Sequence, residues 1–364
     1  MQQTVLDNIN NQPVVLRRVL DERGTFVDPF VAKLHEHQIE KVIFLGSGTS
    51  YNVSTIASYY FKHLVGMPAE AYYPTVFKNH ESPDWTGLVD RARILCVGVS
   101  QSGTSVSTCE AMEHARALGC RTLAITGDPE SEITRHVDVT TRLLVGEELT
   151  PPETKGYTVS VLSVLLWAVE AGRERGSLSQ EEADGLIRET QGVVEGFQDV
   201  LDEGLGWYER NKTSIVSSDR LYVLGYGVDY GSMLEGMLKV GEMLRVPTIG
   251  YEMEEYSHGP TMALKPNQTI LMIGTDDVEF ERLLTFRKTY RKYTDRVHVI
   301  TCRDLPDADG RDLVFSPKAS KYLAPLLYTV PFQYLAARGA ADIYIDTNVD
   351  PCAEPLSHYP TERV

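Results

Sequence analysis

The segment Leu234-Glu-Gly-Met-Leu-Lys-Val-Gly-Glu242 spaces Glu235, Lys239 and Glu242 at i,i+4 and i,i+3. A helix there carries all three on one face, with the lysine held between two carboxylates. Most Glu/Lys triplets on helices are solvated charge stripes, and the spacing alone leaves that reading open. Sixteen residues after Glu242, the run Tyr256-Ser-His258-Gly-Pro260 sets an imidazole on a loop, because Gly-Pro fixes a turn. A lone histidine is more often structural, yet carboxylate and imidazole together are the side chains best suited to proton transfer near neutral pH.

A second group is rich in hydroxyls. Ser100-Gln101-Ser102-Gly-Thr-Ser105 follows an apolar run, and Gly46-Ser-Gly48-Thr49-Ser50 follows another. A serine-rich turn at a helix N-terminus offers backbone N–H groups, hydroxyls and the positive end of the helix dipole, which is what a phosphate needs. Ser100, Gln101, Ser102 and Ser105 supply that set, joined by Ser50. Either turn alone is an ordinary cap; two at strand ends of one sheet make a pocket.

The elements that must position these groups are legible as strand, turn and helix. Lys41–Leu45 is a buried strand and Tyr51–Val65 continues at helical period; Arg93–Val99 and Val106–Leu118 repeat the grammar, and Arg121–Thr126 adds a strand. Alternation of this kind predicts a parallel α/β sheet. Beyond Lys155 the pattern is helical over 159–173 and 180–211, with Ser179 as a helix start, and the connection between domains is expected near 211–219.

The decisive organisational feature is an internal repeat. Phe44-Leu-Gly-Ser-Gly-Thr-Ser-Tyr51 precedes Val223-Leu-Gly-Tyr-Gly-Val-Asp-Tyr230 by 179 positions, and Pro68 and Tyr72 match Pro247 and Tyr251 at the same offset. Two copies of one unit are predicted. Asp229 replaces Ser50, and Thr275-Asp-Asp-Val replaces the serine turn, so only the first copy suits an anion. The expected division is an N-terminal arm and helix over 1–38, a phosphate-binding domain with connecting helices over 39–211, and a second domain over 216–364.

Composition limits the partners. The 364 residues are 42% hydrophobic and 24% charged, enough for two cores. A formal charge of −16, with no basic run, disfavours nucleic acid and anionic membrane. No signal segment or apolar run of spanning length is present, and Cys96, Cys109, Cys120, Cys302 and Cys352 show neither CxxC nor metal-ligand spacing. A cytoplasmic location without a metal site is the expectation.

Gly48-Thr49-Ser50-Tyr51 and Ser100-Gln-Ser-Gly103 resemble the phosphate-binding motifs of sugar isomerase (SIS) domains, and they occur in order with Thr154-Lys155 and Ser257-His-Gly-Pro260. The resemblance runs from about Ile39 to Val364 and is nearest to the isomerase portion of glucosamine-6-phosphate synthase and to the fructosamine-6-phosphate deglycases. It implies two tandem SIS domains, each a parallel sheet flanked by helices in a flavodoxin-like three-layer sandwich. It also implies a 6-phosphosugar ligand, no cofactor, and a homodimer in which His258 reaches the neighbour's site. By the same resemblance Glu242 is the base that moves a proton between C1 and C2, with Lys239 its neighbouring lysine. His258 is the ring-opening acid/base, Glu255 a supporting carboxylate, and Gly48, Thr49, Thr154 and Lys155 contact substrate.

The chain departs from the synthase pattern at both ends. No cysteine follows Met1 to act as an N-terminal nucleophile, so glutamine-driven synthesis is not expected. The synthase-type tail carries a lysine where this chain has Leu356-Ser-His358, and no lysine follows Lys321. A substrate that brings its own amine does not need that lysine, which favours cleavage of a ketoamine; His358 either substitutes for it or is merely exposed. Aldose–ketose isomerisation, aminosugar-phosphate deamination and a non-catalytic sugar-phosphate sensor are the alternatives. The amine's identity rests in loops such as 73–84 and 150–157, which carry no readable code.

Overall fold

The computed structural model describes residues 3–351 and 357–359; Cys352 and Leu356 lie outside the described residues. The chain folds as two compact units. The described residues of one are 14–148, 155–188, 351 and 357–359, and those of the other are 3–13, 149–154 and 189–350.

In chain order the elements run α1 (Val5–Asn10), α2 (Gln12–Asp21), α3 (Gly24–Glu36), β1 (Lys41–Leu45), α4 (Thr49–Tyr60), β2 (Ala69–Tyr72), α5 (Pro74–His80), β3 (Ile94–Val99), α6 (Val106–Ala117), β4 (Arg121–Thr126), β5 (Val139–Arg142) and α7 (Lys155–Arg175). They continue with α8 (Gln180–Glu195), α9 (Phe197–Val216), β6 (Leu221–Gly225), α10 (Asp229–Met243), β7 (Thr248–Glu252), α11 (Met253–Tyr256), β8 (Thr269–Ile273), α12 (Phe280–Tyr290), β9 (Val297–Thr301), β10 (Leu313–Val314), α13 (Ala324–Tyr328) and α14 (Val330–Asp342).

The first unit is built on a parallel sheet of order β2-β1-β3-β4-β5. Its middle strand, β3, is apolar and buried throughout because both faces are covered. Side chains alternate across the sheet. Ile43 and Leu45 join Phe77 of α5 and Cys109 and Met112 of α6 on one face. On the other face Phe44 meets Phe61, and Phe61 meets Phe30, which stacks on Trp167 of α7 at 4.2 Å. Helix α7 is buried nearly all round, in keeping with an apolar run from Val159 to Val169 that only Ser160 and Ser163 interrupt.

The second unit repeats the plan with order β7-β6-β8-β9-β10. The repeat offset is visible in the register: Leu45 pairs with Tyr72, and Leu224 with Tyr251. The Pro68 and Pro247 carbonyls accept the N–H groups of Val42 and Leu221, each at 3.0 Å. The shared glycine after each first strand has one cause. A Cβ on Gly46 would lie 2.7 Å from the Ser50 backbone, and one on Gly225 would lie 2.8 Å from the Asp229 carbonyl oxygen.

Two local expectations are corrected. The helical stretch over 180–211 is two helices that part at Gly196, and residues 211–216 complete α9 instead of opening a linker. Asn211 is buried there, and its amide donates to the Trp207 and Gly310 carbonyls, which anchors it inside the helix. The predicted start at Ser179 is a capping box: its N–H and hydroxyl both donate to Glu182 at 2.8 Å. Among the described residues no helix is long and apolar enough to cross a membrane.

Candidate functional site

In a sheet of this order, β1 and β3 are neighbours whose connections leave in opposite directions, and the crevice beyond their carboxyl ends is where such folds bind ligands. Both hydroxyl-rich turns stand there. After β3, the Ser100 hydroxyl accepts the Gly103 N–H at 3.1 Å and the Ser102 hydroxyl accepts the Thr104 N–H at 3.3 Å, which curls the turn tightly. Gly103 is required at φ 65°, where an added Cβ would lie 1.9 Å from the Ser131 hydroxyl. Ser105 stands at the N-cap of α6, and its hydroxyl accepts from Thr108 at 3.0 Å.

The two turns meet through Ser47 and Ser107, whose hydroxyls are 3.4 Å apart. Ser107 in turn lies 3.5 Å from the Ser105 hydroxyl. Gly48, at φ 57°, and Thr49 open α4, and Ser50 stands in its first turn with its N–H on the Ser47 carbonyl. The link between turns therefore falls to Ser47, with Ser50 beside it.

Gln101 is fixed at both ends. Its carbonyl accepts from Gly127 N–H at 2.9 Å and from the Thr126 hydroxyl at 3.2 Å, while its side-chain amide donates to Glu148 at 3.0 Å. Lys155 opens α7 and is buried; its ammonium donates to the Glu147 carbonyl, and burial lowers its pKa. That ammonium is thus turned to the chain's own backbone. Thr154 is buried, and its carbonyl accepts the Gln333 amide at 3.1 Å. His358 lies against the serine turn: it bridges Ser105, the Ser357 carbonyl accepts the Val106 N–H at 3.1 Å, and the Tyr359 N–H donates to Thr104 at 2.8 Å.

In the second unit, α10 carries the Glu/Lys triplet. Lys239 lies 2.8 Å from a Glu242 oxygen and 3.9 Å from a Glu235 oxygen. Side-chain exposures of 3% for Lys239, 1% for Glu235 and 35% for Glu242 dismiss the solvated stripe. Burial opposes the ammonium, but the two carboxylates outweigh it and hold the Lys239 pKa above the usual lysine value. The result is a permanently charged lysine presenting a half-open carboxylate. Helix α10 is seated by close packing, since a Cβ on Gly236 would lie 2.9 Å from the Phe332 ring of α14.

His258 is exposed on the turn after α11, with its N–H on the Glu255 carbonyl at 3.0 Å. Glu255 orients the loop through its backbone carbonyl. The carboxylates that fix this region are Glu252, which accepts the Glu255 N–H at 2.9 Å, and Glu254, which takes two bonds from Arg282 at 2.9 and 2.8 Å.

The SIS domain model matches residues 37–170 and 214–344, well over half of the chain. The chain belongs to the SIS-domain family. It is 27% identical over 350 residues to a glutamine–fructose-6-phosphate aminotransferase (isomerizing) of Gloeobacter violaceus, covering 94% of this chain and 56% of that protein. It is likewise 27% identical to the Bradyrhizobium diazoefficiens aminotransferase, covering 86% of this chain and 50% of the relative. The chain thus spans about half the length of these relatives. Among solved structures, a candidate phosphosugar isomerase of Clostridium difficile 630 superposes with TM-score 0.86 at 26% identity, over 97% of both chains. The C-terminal domain of the Francisella tularensis glucosamine-fructose-6-phosphate aminotransferase gives 0.80 at 18%, over 94% of this chain and 96% of that one, a likeness of fold.

The second SIS domain fills its own switch point. Asp229 is fully buried at the start of α10, where its carboxylate accepts the Thr275 N–H at 2.9 Å, and the Tyr226 hydroxyl donates to the Thr275 carbonyl at 2.6 Å. Burial raises the Asp229 carboxyl to about 7, against a weaker pull downward from the Thr275 bond. Sequence reasoning missed Ser107, Glu148 and the Glu254–Arg282 pair; each acts through a partner distant in sequence, and only Ser47 lay inside a motif already singled out.

Proposed function

We propose that this SIS protein is an enzyme that cleaves a fructosamine 6-phosphate into a hexose 6-phosphate and a free amine. The observation that carries the reading is the buried Lys239 clamped by two carboxylates, with Glu242 left open enough to exchange a proton. A buried ion triplet is a weak source of stability, and proton transfer gives it a use. The serine turns hold the phosphate. His258 moves a proton from the anomeric hydroxyl to the ring oxygen and opens the ring. Glu242 then takes a proton from C1 as the C2 carbonyl oxygen gains one, giving an enaminol. Reprotonation at C2 yields the C1 imine, and water splits it to the aldose phosphate and the amine.

The relatives' names point to fructose 6-phosphate chemistry, and the replacement of a tail lysine by His358 favours a substrate that brings its own nitrogen. Isomerisation of fructose 6-phosphate, which uses the same base and the same pocket, is the second reading. Mass spectrometry after incubation with a panel of 6-phosphorylated ketoamines, with fructose 6-phosphate alongside, tests the choice. Equal amounts of hexose phosphate and amine are expected; conversion of fructose 6-phosphate alone would move the assignment to isomerisation.

A further inference from the structure

The serine turn is held by a residue outside it. One oxygen of the Glu148 carboxylate accepts the Lys155 N–H at 3.1 Å; the other accepts the Gly156 N–H at 2.9 Å and the Gln101 side-chain amide at 3.0 Å. A carboxylate has about four acceptor positions, and three are used here. Two of the donors are the first N–H groups of α7, where the helix dipole favours a negative charge.

We propose that Glu148 is a positioning residue for the phosphate turn, acting through Gln101, an inference that rests on the reading of residues 100–105 as the phosphate site. A carboxylate only accepts, so it dictates which end of the Gln101 amide faces it, and one of the two amide N–H groups is committed. The Gln101 carbonyl end is buried against Gly156, where a Cβ would lie 1.5 Å from its oxygen; glycine is the residue that admits it. With the backbone carbonyl tied to β4 and the side chain tied to α7, Gln101 has no torsion left to order when a phosphate arrives. Glutamine otherwise surrenders much of its side-chain freedom on binding, and removing that cost in advance raises affinity. Because Glu148 already accepts three N–H donors, its negative charge is compensated where an anionic ligand would otherwise feel it.

Titration calorimetry of the full chain with fructose 6-phosphate, on wild type, Glu148→Ala, Gln101→Ala and the double variant, tests this. Each single change is expected to weaken binding about tenfold, and the double no more than either alone, since both remove one coupled element. Additive losses, or full affinity in Glu148→Ala, overturn the proposal. Ser102→Ala separates the two levels: if it weakens binding and Glu148→Ala does not, Glu148 alone is misread. If neither does, or if wild type does not bind, the phosphate reading falls and takes the proposal with it. Should Glu148→Ala not fold, Glu148→Gln keeps the shape and one acceptor, and a several-fold loss that vanishes in the Gln101→Ala background is the expected result.

Discussion

Glu242 and Lys239 occupy one helix face, yet they stand in opposite environments, and that difference separates a chemical role from a structural one. Lys239 is enclosed with Glu235, so Lys239→Met strands a buried carboxylate and should destabilise the fold by about 3–5 kcal/mol in urea denaturation. Adding Glu235→Gln removes the stranded charge and should recover much of that loss. Glu242, a third exposed, is expected to cost less than about 1 kcal/mol as Glu242→Gln while abolishing turnover. Equal stability losses for Lys239→Met and Glu242→Gln would show that burial does not distinguish them.

At the scale of elements, the repeated strand–turn–helix unit serves two ends: a serine turn in the first copy, a buried aspartate in the second. The Asp229 carboxyl sits near 7 when folded and near 3.8 when unfolded. A raised carboxyl contributes most below its unfolded value, and that contribution falls as pH climbs toward 7. Asp229→Asn lacks this term. Between pH 5 and pH 8 the stability difference should shift in the variant's favour by roughly 2–3 kcal/mol, read by urea unfolding at both values. Parallel pH profiles would contradict it.

The strands, the turns and the repeat were legible in the sequence, because apolar runs and the 179-residue offset are patterns along the chain. Lys239 between its carboxylates followed from helical spacing in the same way. What spacing could not supply was burial, which decides that this triplet is no surface stripe. Nor could it supply the contact of Gln101 with Glu148, or of Ser47 with Ser107, since partners 47 and 60 positions apart leave no local trace. The bond from the Lys155 ammonium to the Glu147 carbonyl is likewise absent from the motif that singles this lysine out.

At the scale of the whole molecule, we propose on the family resemblance that the protein is a homodimer in which His258 serves the neighbour's site; its exposed loop suits that role. Glu242→Gln and His258→Ala, each inactive alone, should then recover about a quarter of wild-type activity after subunit exchange, because half the dimers are mixed and each has one intact site. No recovery despite exchange seen by native mass spectrometry would put both residues in one subunit's site or remove His258 from catalysis. The central claim is that Glu242 moves a proton between C1 and C2 of a 6-phosphorylated ketoamine, and turnover of 1-amino-1-deoxyfructose 6-phosphate in D2O tests it most directly by NMR. The open Glu242 carboxylate should exchange with solvent, giving glucose 6-phosphate with deuterium at C2 and an equal amount of ammonia, and Glu242→Gln should give neither. Ammonia release undiminished in Glu242→Gln would contradict the account, since the enaminol would then form without this carboxylate.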